Sequence, residues 1–317
     1  MSGFFYSITG FLAPFVDYKS LTFPPDGFSL TLPKHTLHEN NINILDTCNG
    51  LVLCGEQSQD LYDVCNPALQ TTVTLPTPPL AGDSAVCKLL FDVKLMFDPQ
   101  VSHHFKVVRF SFSRTISGIH LEIFSSETME WVEWTIPCES STLEWFPSFK
   151  QSVSFVHGVL FLSILPIALL KIDVERWHSQ LVEFPRDAFL FDQPCLGMIR
   201  EGFHLACLDR TEGLHIQVFK LIDDACALTI WNQKYRIDAE EVYPRPGIPT
   251  EIHLKAFHLN DDVIFQVIDN KVYAYHLESK RLEDLDIELH ESEDIDIYPF
   301  SPCAVNVPRL TANPGLQ

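Results

Sequence analysis

The sequence predicts an all-β chain, folded as a β-propeller-like ring of antiparallel meanders, on three observations. Runs of β-branched, aromatic and aliphatic residues broken by short polar turns fill the chain, and helical periodicity is hard to find. The units recur every 40 to 60 residues or so, near the spacing of propeller blades. Most units end in proline, which has no N–H and so suits the end of an outer strand.

In chain order, the first copy is the weakest: residues 21–23, a turn at 24–27, and 28–32 before Pro33. The second takes 50–54 and 61–65, turns at 66–70, and ends with 71–75 before Pro76. The third is 105–112, 119–124, a turn at 125–128, and 131–136 before Pro137. The fourth is 158–165, 168–172, a turn at 173–176, and 177–184 before Pro185. The fifth is 203–208, a turn at 209–213, 214–221, a turn at 222–224, and 227–231. The sixth is the clearest: 263–268, the turn Asp269-Asn270-Lys271, 272–277, a turn at 278–280 and a strand from Leu282.

Both faces of such a meander are apolar, with Val272 and Ala274 on one side and Tyr273, Tyr275 and Leu277 on the other. Each unit therefore needs a neighbour on either side, which radial stacking supplies. Six blades are favoured, with room for a seventh between residues 76 and 105. Residues 303–307 are the expected strand that completes the N-terminal blade and closes the ring. Two stacked sheets in a sandwich are the alternative architecture. The expected organisation is an N-terminal segment at 1–20, one ring domain at 21–308 and a frayed tail at 309–317.

Composition narrows the function. Of 317 residues, 46% are hydrophobic, enough for a large core. The formal charge is −20, with no basic run, which excludes a typical nucleic-acid binder and disfavours anionic membranes. The nine cysteines are scattered and never form C-x-x-C, so they read as buried free thiols rather than zinc ligands or disulfides. With no basic leader and no N-x-S/T sequon, a cytoplasmic or nuclear site is expected. The apolar stretch 153–170 contains His157, Gly158 and Pro166, and reads as two buried strands and a turn. The acidic run 283–296 reads as a solvated loop, or as a dock for a basic partner.

No catalytic motif is present: G-x-G-x-x-G, G-K-[ST], H-E-x-x-H and G-x-S-x-G are all missing. His103 and His104 are adjacent, so on a strand they point to opposite faces and do not share an ion. His120 and Glu122 share a face, as an acid–base pair would, but their setting suggests an ordinary half-exposed strand. His157 reads as a turn histidine. Trp131, Trp177 and Trp231 are expected in blade cores. Trp145 and Phe146 lie between units and are the candidate partner-binding residues. No catalytic, cofactor or metal residue is assigned, and no cofactor is expected.

Several segments carry a resemblance. Asp46-Thr47-Cys48-Asn49-Gly50-Leu51-Val52-Leu53-Cys54 is similar to the "S/D-C-N-G-L-L-L" signature of plant F-box-associated domains. Val64-Cys65-Asn66-Pro67-Ala68, reaching Leu75-Pro76, resembles their "V-x-N-P-x-T … L-P" element. Phe97-Asp98-Pro99 with the segment from Ser102 to Val108 resembles "F-D-P … S-x-H-Y/F-K-V-V". The segment from Glu122 to Trp131 resembles "E-V-Y-S-S-E-T-G-x-W", and Phe155 to Leu160 the step after it. In physical terms these residues look structural: Asn49-Gly50 is a turn dipeptide, and Asn66-Pro67 starts a turn.

The resemblance implies a non-catalytic protein-interaction module, of the kind that recruits a protein substrate to a cullin–RING ubiquitin ligase. Its relatives dock on a Skp adaptor through an F-box. The residues before the first repeat show no leucine-rich F-box helix, so adaptor docking is expected only when an F-box is supplied. The alternative is an enzyme or carbohydrate-binding β-propeller.

Overall fold

The computed structural model describes residues 3–10, 15–21, 30–32, 43–56, 60–79, 89–112, 118–137, 153–164, 168–176, 178–185, 192–200, 202–210, 213–223, 229–242, 251–258 and 262–304. The described elements are strands apart from one helical turn, Ala239–Val242.

Five four-stranded antiparallel sheets follow one another along the chain. The first holds β3 (Ile44–Cys48), β4 (Leu51–Glu56), β5 (Leu61–Asn66) and β6 (Thr71–Thr74). The second holds β7 (Leu89–Met96), β8 (Lys106–Phe112), β9 (Gly118–Ser125) and β10 (Glu130–Pro137). The third holds β11 (Val153–Val156), β12 (Val159–Ile164), β13 (Ala168–Asp173) and β14 (His178–Glu183). The fourth holds β15 (Asp192–Ile199), β16 (Gly202–Asp209), β17 (His215–Asp223) and β18 (Thr229–Asp238). The fifth holds β19 (Ile252–His258), β20 (Val263–Ile268), β21 (Lys271–His276) and β22 (Arg281–Glu288).

The sixth sheet joins the two ends of the chain. β1 (Gly3–Thr9) lies between β2 (Phe15–Ser20) and β23 (Asp294–Phe300), antiparallel to both. The leading strands β3, β7, β11, β15, β19 and β23 each touch the next, and β23 touches β3 again. The molecule is thus a six-bladed β-propeller with these strands around its axis.

The packing explains why the middle strands are apolar on both faces. Six apolar clusters occupy the six seams between neighbouring blades. Along β20, Val263, Phe265 and Val267 enter the seam with the closing blade, while Ile264 and Ile268 enter the seam with the fourth. On β4, Leu51 and Leu53 face the second blade, and Val52 and Cys54 face the closing one. Val272 and Ala274 fall on one side of β21 and Tyr275 on the other, as the alternation requires.

The hairpins use local chemistry. Asn66 Oδ1 accepts from the N–H groups of Ala68 and Leu69, at 3.0 and 3.2 Å, and Asp173 Oδ1 does the same for Glu175 and Arg176, both at 3.0 Å. Asn49 and Gly50 both have positive φ, 45° and 86°, the primed turn that suits a two-residue hairpin.

Several expectations need correction. The closing strand is β23, upstream of the expected 303–307, of which 305–307 lie outside the described residues. The acidic run is mostly strand. β22 alternates exposed Asp284, Asp286 and Glu288 with buried Leu285 and Ile287, so its charge sits on one face of an ordinary blade strand. The gap expected to have room for a seventh blade holds β7, the axial strand of the second. The first twenty residues supply β1 and β2. The weak copy at 21–33 lies largely outside the described residues, as does the tail at 309–317. The stretch 153–170 forms three strands in part, β11, β12 and the start of β13. Among the described residues no helix is long and apolar enough to cross a membrane.

Candidate functional site

Axial strands differ from middle strands because one edge faces no sheet. Four of the six carry a register shift against their second strand: β3 at Leu45, β7 at Phe91, β15 between Asp192 and Cys195, and β19 at Lys255. Such a bulge breaks the alternation and turns side chains toward a new direction. Polar residues cluster beside these bulges, at Asp46, Asp92, Lys94 and Lys255, and line an axial cavity of about 1130 Å³. All six blades contribute to its wall, including Phe155 from β11, Met198 from β15 and Tyr298 from β23.

The cavity's central charges are few and buried. The Lys94 ammonium lies 3.6 Å from Asp92 and 3.9 Å from Asp46. Burial works against its charge, yet the carboxylates of Asp92, Asp46 and Asp296 outweigh it and raise its pKa. Asp46 accepts the N–H of Leu95 at 2.8 Å, which ties β3 to β7. Asp92 Oδ1 accepts the N–H of Val93 at 2.8 Å, while among the described residues no donor comes within hydrogen-bond distance of its Oδ2. Burial, only partly opposed by Lys94, pushes the Asp92 pKa up to about 7. The Asp46 carboxyl is raised by burial too. Burial and the fields of Asp296, Asp46 and Asp92 hold the Tyr298 phenol well above its usual range, and its hydroxyl donates to the Ile44 carbonyl at 2.7 Å.

One mouth of the channel is a rim of turns tied blade to blade. Asn49 Nδ2 and Cys48 Sγ both donate to the Phe97 carbonyl, at 2.7 and 3.3 Å. Asn66 Nδ2 donates to the Cys303 carbonyl at 3.0 Å. His157 Nδ1 sits 3.6 Å from Asp98 Oδ2. Arg200 pairs with Asp262 at 2.7 Å and Glu278 at 2.9 Å. The segments that carried the resemblance thus include the residues that join one blade to the next.

The candidates named from sequence are distributed as follows. Trp145 and Phe146 lie outside the described residues, as does Trp177. His103 and His104 are exposed. His104 Nδ1 is 3.4 Å from Ser126 Oγ, which itself accepts the Phe105 N–H at 2.9 Å and anchors the start of β8. His120 and Glu122 are buried rather than half-exposed, because β9 is covered on both faces by its seams. Glu122 pairs with Arg109 at 2.9 Å and His120 Nδ1 lies 3.0 Å from Thr135 Oγ1, so both are committed within their blade. His157 occupies a turn with φ 45°. Trp131 and Trp231 are half-buried rather than in the core. Cys54, Cys65, Cys195 and Cys207 are buried thiols inside the seam clusters. Among the described residues no three His, Cys, Asp or Glu side chains gather as metal ligands would.

Sequence reasoning passed over Asp92 and Lys94. Their signal was present: two charged residues at alternating positions within Phe91-Asp92-Val93-Lys94-Leu95, an otherwise apolar run.

The model of the F-box protein At3g26010-like β-propeller family matches residues 19–262. The chain belongs to that family. The F-box protein At5g03970 of Arabidopsis thaliana is 22% identical to it over 256 residues, 75% of this chain and 58% of the relative. The chain therefore spans less than two thirds of that relative's length. Among solved structures, an exo-β-1,3-galactanase of Phanerochaete chrysosporium aligns with 81% of this chain and 66% of its own, at TM-score 0.45 and 9% identity. BBS1N, solved in complex with ARL6DN, aligns with 95% of this chain and 76% of its own, at TM-score 0.39 and 8% identity.

Proposed function

We propose that this F-box-family propeller is a non-catalytic module that holds a protein partner over the mouth of its channel, presenting it for ubiquitination in the cytoplasm or nucleus. The observation that carries the reading is the family match over residues 19–262. The rim geometry supports it. Turns from separate blades are joined to their neighbours, so they offer a pre-organised surface with little ordering cost on binding. The carboxylates of Asp46 and Asp92 on the cavity wall are paired with Lys94. Docking on a Skp adaptor belongs to an F-box, and the propeller's task is the partner.

The test is affinity capture from plant cells with the chain alone and with an F-box segment fused ahead of it, read by mass spectrometry. The reading expects a shared protein partner in both captures, with adaptor and cullin only in the second. It also expects ubiquitin transfer to that partner in a reconstituted ligase. Transfer that proceeds equally when the propeller is omitted would refute it.

A further inference from the structure

We infer that the axial channel is a binding site for an organic cation, an ammonium or guanidinium group, received beside Asp92 and Asp46. The inference rests on the channel and not on the recruiting role, so the two stand or fall separately.

The cavity, at about 1130 Å³, is large enough to hold a small ligand. Asp92 lines it, yet its side chain is nearly fully buried and, among the described residues, its Oδ2 has no donor within hydrogen-bond distance. Among the described residues the nearest cation is the Lys94 ammonium at 3.6 Å, beyond hydrogen-bond reach and shared with Asp46 at 3.9 Å. Two carboxylates thus share one ammonium at ion-pair rather than hydrogen-bond distance, and of the two only Asp46 has, among the described residues, a backbone N–H from another strand as well. Buried polar atoms are normally hydrogen-bonded, so a carboxylate oxygen on a cavity-lining residue that is held by a 3.6 Å ion pair alone has room for a further donor.

Among the described residues, the lysine and arginine of the wall other than Lys94 are committed elsewhere. Lys255 is held by Asp294 at 2.6 Å, and Arg200 by Asp262 and Glu278. An anionic ligand would face Asp46, Asp92, Asp98 and Asp296 across the same space. A cation rich in N–H donors fits: it supplies the missing bond to Asp92 Oδ2 and relieves the shared claim on Lys94. Such a group arrives either as a lysine or arginine side chain of a protein partner or as a free polyamine.

The experiment is titration calorimetry of the full chain at physiological ionic strength with two probes. One is spermine and the other a blocked tetrapeptide containing lysine and arginine. Asp92→Asn and Asp46→Asn remove one channel charge each. Asp284→Asn and Glu291→Gln remove exposed charges as controls. Circular dichroism confirms folding of each variant, and Asp46→Asn carries the test if Asp92→Asn does not fold. The expected result is binding of at least one probe, weakened about ten- to a hundredfold by the channel variants and unchanged in the controls. Tighter spermine binding points to a free polyamine, and tighter peptide binding to a partner's side chain. Failure of both probes to bind, equal weakening in the controls, or unchanged binding in the channel variants would overturn the inference.

Discussion

The indole N–H of Trp131 donates to the carbonyl of Pro76 at 2.9 Å, across the seam between the first two blades. Trp231 repeats the arrangement one pair of blades on, donating to the Glu183 carbonyl at 3.0 Å between the third and fourth. Each tie joins the outer strand of one blade to the carbonyl where the preceding blade's outer strand ends. Trp131→Phe keeps most of the ring packing and removes the bond. It should cost about 0.5–1.5 kcal/mol of stability, measured by denaturant unfolding. Trp231→Phe should behave alike, and no loss in either would deny these ties a role.

Gly50 is fixed by its surroundings as well as by its turn. Its φ is 86°, and a Cβ there would meet the Cys303 backbone nitrogen at 2.5 Å and the Ser301 carbonyl oxygen at 2.9 Å. Gly50→Ala should therefore destabilise the chain by about 1–3 kcal/mol, by strain and by pushing the C-terminal segment off the rim. Gly158, with φ 79° and, among the described residues, nothing within 4 Å of its Cβ position, should lose less on the same substitution, from φ alone.

Asp92 makes stability depend on pH. Its folded pKa of about 7 stands above the unfolded value near 4, so the native state holds the proton more tightly between these limits. Its contribution is complete below about pH 4 and is lost as the pH rises through about 7. Asp92→Asn should flatten that slope and raise stability at pH 8 by about 1–2 kcal/mol, part of the gain being offset by the lost attraction to Lys94. Thermal unfolding from pH 4 to 8 measures both effects.

Phe265 is fully buried in the seam between the fifth and closing blades, 4.7 Å from Phe4 between ring centroids. Phe265→Ala should cost about 3–5 kcal/mol, against about 0.5–1.5 for Ile264→Val on the other face. Equilibrium unfolding of the two variants checks the contrast.

The sequence made the blades legible through their middle strands. Runs such as Val263–Ile268 are apolar at every position except Gln266, because successive side chains enter opposite seams, and polar turns bracket them. The axial strands were harder to see. β7 and β19 carry charged residues next to bulges, so neither alternation nor a continuous apolar run marks them. β23 has no register shift, but its first residues hid inside an acidic run. Its Ile295 is buried between Asp294 and Asp296, which face other surroundings. The site was therefore less legible than the fold, since Asp46, Asp92 and Lys94 acquire meaning only when distant strands meet on the axis. The rim was partly legible: Asn49-Gly50 and Asn66-Pro67 stood out as turns, but their ties between blades did not.

Hydrogen exchange of the chain with and without its captured protein partner tests the central claim most directly. A partner held over the channel mouth should slow exchange at residues 49–50, 98–103 and 157–158 together, and should be recovered with no change other than ubiquitination. Unchanged exchange at all three turns, or a partner otherwise chemically altered by the propeller alone, would contradict the account.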